Sequence, residues 1–286
     1  MRILRFAAMA ALTLIAAVVI SLTARPALRH ALLAELNDPG ALPALESDGR
    51  IRFEPAARAC AQEVAAILPG ALRRVESEHG RPFAKAPLIG VYESFDTYAR
   101  ANGLGDSGVA GVSRAGRALL SPTLCGQERA RLDGVLTHEL SHIHFFGWRP
   151  RNAPRPPPWF TEGLAVMVSK GGGAEGVSDE EAAQAIRDGY AVILDDRPWF
   201  DFTDIRFERE PSATGALDAY SYRQRLAFRQ AAVFIAWLRA RDPVAFGRLL
   251  RSLESGAPFD EAFHDSFRAA PMDCWRDYVA AISHAG

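Results

Sequence analysis

Val135-Leu136-Thr137-His138-Glu139-Leu140-Ser141-His142-Ile143-His144-Phe145-Phe146 is the stretch on which the reading of this chain turns. Its apolar positions, Val135, Leu136, Leu140, Ile143, Phe145 and Phe146, flank and interleave the polar ones, which predicts a buried helix whose polar side chains need a reason to be there. On a helix, His138 and His142 stand four residues apart and project from one face, close enough to share one ion. Glu139 lies about 100° further round the axis, beside such an ion without having to bind it. A hydrolytic zinc site requires this arrangement, in which imidazoles fix the metal and a neighbouring carboxylate takes a proton from water. His144 lies about 200° from His142 and is expected to face away in a structural role. His30, His79, His264 and His284 sit in segments without metal spacing.

A catalytic zinc needs a third protein ligand and one open position. Trp159-Phe160-Thr161-Glu162-Gly163-Leu164-Ala165-Val166-Met167 supplies one. Glu162 follows Pro158 by four residues, and a proline suits the start of a second helix. A lone Glu near a helix start is ordinarily a solvated or dipole-related group. Twenty residues after His142 in a chain that already holds HExxH, it is the candidate third ligand.

HELSH followed by WFTEGLAVMVS resembles the gluzincin zinc metallopeptidases, specifically the peptidase MA-like group related to thermolysin and to a family of zinc aminopeptidases. The resemblance spans roughly residues 50 to 280; it is specific at the two zinc motifs and architectural elsewhere. It implies a zincin, thermolysin-like fold of the α+β class: a small mixed sheet, then a mainly helical subdomain carrying zinc on His138, His142 and Glu162. Glu139 is then the general base, and peptides or proteins are the substrate. An edge strand would line the cleft, for which Val109 to Leu120 is the candidate.

Two departures from the family stand out. Phe228 falls where related aminopeptidases carry a Tyr whose hydroxyl stabilises the oxyanion, and it has no hydroxyl. Tyr220 and Tyr222 are the candidate replacements, with Arg225 on a nearby helical face; packing or surface roles remain the alternative for all three. Val166 stands where some relatives have an acidic partner for a ligand His, so the orienting hydrogen bonds of the ligands are unassigned. These departures leave open a different class of function, a catalytically weak or inactive zinc-containing peptide-binding or sensor protein. A purely structural metal would need a fourth ligand, and the sequence offers none.

The rest of the chain agrees with this frame. Pro87 to Tyr92 and Arg50 to Phe53 read as strands, Val109 to Ser121 as a hairpin turning near Arg114-Ala115-Gly116, and Pro55 to His79 as a helix broken or kinked at Pro69-Gly70. From Gln127 onward the pattern is helical, apart from the Pro-rich loop 149–158 and the Gly-rich loop 170–176, and Trp237 and Trp275 sit at core positions. Strands first and helices afterwards give an α+β domain. With 49% hydrophobic and 23% charged residues among 286, the composition is that of a folded domain. A net charge of −1 without basic runs excludes nucleic acid as a partner.

Arg2 and Arg5 precede an apolar run from Phe6 to Ile20, the form of an export signal or a single N-terminal membrane anchor. The expected layout is 1–24 signal peptide or signal-anchor, 25–48 juxtamembrane linker and 49–286 metallopeptidase domain, placed outside the cytoplasm, periplasmic or secreted. Cys60, Cys125 and Cys274 form no CxxC pair and are not zinc ligands. Three buried thiols is the favoured reading; one disulfide plus one thiol is the alternative in an oxidising compartment.

Overall fold

A computed structural model describes residues 23–195, 197, 199, 204–213, 215 and 217–284. The export or anchor segment at Phe6 to Ile20 lies outside these residues. Among the described residues no helix is long and apolar enough to cross a membrane.

Helix α1 (Pro26–Leu36) precedes strands β1 (Ala44–Leu45) and β2 (Asp48–Phe53), followed by the long helix α2 (Arg58–His79). Then come β3 (Leu88–Val91), α3 (Phe95–Ala101), β4 (Gly111–Arg114) and β5 (Arg117–Leu120). Seven further helices complete the described chain: α4 (Leu132–Trp148), α5 (Pro158–Val168), α6 (Asp179–Arg187), α7 (Ala219–Arg241), α8 (Pro243–Glu254), α9 (Phe259–Phe267) and α10 (Pro271–Ser283).

The sheet order is β1-β2-β3-β5-β4. The pairs β2–β3 and β3–β5 are parallel, whereas β1–β2 and β4–β5 are antiparallel. Ile51, Phe53, Ile89, Val91, Ala118 and Leu120 alternate onto one face and join the main core with α2 and α4. Tyr92, Tyr98 and Leu119 form a smaller cluster on the other. The fold is thus α+β with a small mixed sheet. The hairpin turns at Ala115 and Gly116, both with positive φ, and leaves β4 as the edge strand beside α4.

Four sequence expectations need revision. Helix α2 continues through Pro69 rather than stopping there, its buried residues Val64, Leu68, Ala71 and Val75 joining a core to which α4 also contributes. The described residues between α6 and α7 are irregular where helix was expected, with a bridge from Val192 to Phe207. Cys60 and Cys125 form a disulfide, and only Cys274 is a free, buried thiol. The favoured reading of three thiols therefore gives way to its alternative. The sheet also begins earlier than Gly49, since Ala44 and Leu45 pair with β2.

Candidate metal centre

Helix α4 is buried from Val135 to Phe145 without a break. Such a helix can bring polar side chains inside only where each meets a partner. His138 and His142 share a face, with their Nε2 atoms 3.1 Å apart. Helix α5 crosses the same end, and its fifth residue, Glu162, places Oε2 3.2 Å from His138 Nε2 and 3.5 Å from His142 Nε2. Three donors held by one tetrahedral ion at bonds of about 2.0–2.1 Å would stand about 3.3 Å from each other. The observed triangle fits that requirement, and its donor set of two imidazoles and a carboxylate suits a borderline cation.

Ring orientation supports the same point. His138 Nδ1–H donates to the Gly172 carbonyl at 2.9 Å, so its Nε2 turns a lone pair toward His142 and Glu162. This is the orienting hydrogen bond that Val166 could not supply, and it comes from the glycine-rich loop. Gly172 packs so tightly on α4 that a Cβ there would lie 2.1 Å from the Gly134 carbonyl oxygen. Only glycine lets that carbonyl approach the ring.

Charges within the metal-free cluster follow from these contacts. Burial alone would raise the Glu162 carboxyl, but the charge of His142 and hydrogen bonds from both rings hold it well below the usual carboxylate range. Burial alone would lower His138, yet its hydrogen bond to Glu162 and the carboxylates of Glu139 and Glu162 push it up to about 9. Glu139 itself is raised, chiefly by burial, against the pull of His138 and His142 and a hydrogen bond with Ser113 on β4. A raised carboxyl beside a cation site is the form a proton acceptor takes.

The triangle opens into a cleft of about 1370 Å³. His142, Thr161 and Glu162 line its floor, Ser113 to Arg117 one wall, and the Pro-rich segment with Trp199 the other. Phe228 is buried and stacks on Trp199 at 5.8 Å between centroids. Tyr220 and Tyr222 lie on the first turn of α7, Tyr220 half exposed and Tyr222 in the core. Neither is among the described residues that line the cleft. Arg225 donates to the Glu175 carbonyl at 2.7 Å. Ser113 and Gly172 were missed by the sequence reading; the run Gly171-Gly172-Gly173 was the only signal for the second.

A second cluster of buried His and Glu is also positioned to hold a metal ion. His79, His144 and Glu254 each offer a ligand atom, all within 4.8 Å of one another. His144 does face away from the first site, as its angle on the helix implied. Its partner His79 comes from the end of α2 and Glu254 from the end of α8. No family model matches the chain, and no curated protein or solved structure matches it either.

Proposed function

We propose that this protein is an exported zinc metallopeptidase of the gluzincin type, on a zincin fold, hydrolysing peptide bonds in the cleft above His138, His142 and Glu162. One observation carries the reading: three donors from two helices converge at 3.1–3.5 Å while Glu139 lies buried beside them. When bound, zinc supplies Lewis acidity, lowering the pKa of a coordinated water toward about 7 and polarising a carbonyl.

The remaining work falls to the chain's own residues. His138 and His142 present neutral Nε2 lone pairs, the first fixed by Gly172, and Glu162 adds one negative charge. Glu139 accepts the proton from the attacking water at its carboxylate and returns it to the leaving amine. Ser113 on the edge strand lies close enough to Glu139 for its hydroxyl to favour the carboxylate form. β4 is the edge strand of the sheet and its Ser113 and Arg114 line the cleft, which suits an extended peptide pairing with it. The Cys60–Cys125 disulfide supports a compartment outside the cytoplasm.

A second reading is a zinc-holding peptide-binding or sensor protein with weak or no turnover. It is favoured by Phe228, which packs on Trp199, and by the absence of Tyr220 and Tyr222 from the described cleft lining. A peptide-library digest with zinc-loaded full-length protein separates the two. Reproducible cleavage abolished by chelator supports the peptidase, whereas binding without cleavage supports the sensor.

A further inference from the structure

We propose that His79, His144 and Glu254 hold a second metal ion, a buried divalent cation of the zinc type, on the far face of the helix that carries His138 and His142. Glu254 Oε1 stands 3.9 Å from His79 Nδ1 and 3.8 Å from His144 Nδ1. All three side chains are at most 1% exposed, and none of these three atoms has a hydrogen-bond partner among the described residues.

Every other polar atom of the cluster is already committed. His144 Nε2–H donates to the Arg81 carbonyl at 2.9 Å, which leaves a lone pair on Nδ1. His79 Nε2 pairs with the Ser141 hydroxyl at 3.0 Å, and with the serine oxygen accepting, its Nδ1 also carries a lone pair. Glu254 Oε2 takes a charge-assisted bond from Arg81 at 2.7 Å, so Oε1 is the oxygen left to face the rings. In that tautomer two ring lone pairs and a carboxylate oxygen face one another in the interior. Acceptors facing acceptors repel, and a cation between them removes the conflict.

The partners outside the triangle are those that orient metal ligands: a backbone carbonyl and a hydroxyl on the rings, and a guanidinium on the carboxylate. Two imidazoles and one carboxylate oxygen suit zinc better than a hard cation, with water as the fourth donor. Spacings of 3.8–3.9 Å from Glu254 to each ring are about half an ångström longer than the roughly 3.3 Å edge of a tetrahedral zinc site, so a bound ion would draw the three ligands together. A depression of about 250 Å³, lined by His79, Gly80, Arg81 and Leu250, gives an entry beside the cluster. The ion would pin the ends of α2 and α8 to α4.

Metal counting tests this. Full-length protein is loaded with excess zinc, desalted and assayed for zinc per chain, beside His138→Ala/His142→Ala and Glu254→Gln. Two equivalents in the wild type, with one kept by each variant, is the expected result. One equivalent lost on Glu254→Gln but kept by the double variant also supports this site, while removing the basis of the proposed peptidase. One equivalent lost in the double variant overturns the second site and points to a buried water in the gap. No retained zinc overturns both. Should Glu254→Gln fail to fold, the double variant reads the cluster alone: one equivalent supports it and none overturns it.

Discussion

His138 and Glu162 form the tightest charge pair of the His138–His142–Glu162 triangle, where a proton and a bound metal would compete for the ring. With the metal removed, the His138 pKa lies above its ordinary 6.5, at about 9. The stabilisation it contributes is complete below about 6.5 and is lost as pH rises through about 9. A cation displaces that proton. Zinc uptake at pH 7.5 is therefore expected to release about one proton, and its affinity to rise with pH until about 9. Calorimetry in buffers of different ionisation enthalpy measures this; uptake with no proton release would show that the ring is already neutral. The spacing of His138 and His142 was legible because both lie on one helix, where four residues make one turn. Gly172 and Ser113 were not, since they reach the site from a loop and a strand distant in sequence. Tyr220 and Tyr222 were carried by resemblance alone, and neither lines the described cleft.

Among elements, the crossing of α5 and α7 decides where Glu162 stands. A Cβ on Gly163 would lie 2.8 Å from the Ala231 backbone carbon and 2.9 Å from its Cβ. Backbone cannot yield as a side chain can, so Gly163→Ala is expected to push the helices apart. It should cost roughly 1–3 kcal/mol and weaken zinc retention, because Glu162 is the preceding residue. Denaturant unfolding with metal analysis checks both effects; an unchanged midpoint would show that the crossing relaxes freely. Most elements were readable from periodicity and turn chemistry: the β4–β5 hairpin, the strands β2 and β3, and the end of α2 at His79. What local pattern could not show was tertiary support, such as the packing that carries α2 through Pro69. For the same reason the second His/Glu cluster was invisible, since His79, His144 and Glu254 share no spacing and meet only through three packed helices.

Across the whole molecule, the Cys60–Cys125 bond ties α2 to the segment between the sheet and α4 and closes a separation of 65 residues. Loop-closure entropy for that length corresponds to about 4 kcal/mol, and native strain ordinarily lowers what is measured. Cys60→Ser/Cys125→Ser is expected to lose roughly 2–4 kcal/mol of stability while keeping its zinc, since the bond lies outside both metal clusters. Unchanged thermal unfolding under reducing conditions would argue against the bond. The central claim joins all three scales: Glu139 acts as base beside a metal held by His138, His142 and Glu162. Its most direct test is peptide hydrolysis by wild type and Glu139→Gln at equal measured zinc content. The expected result is a turnover about 100- to 10,000-fold lower in the variant with its zinc unchanged; equal turnover in the two proteins would contradict the claim.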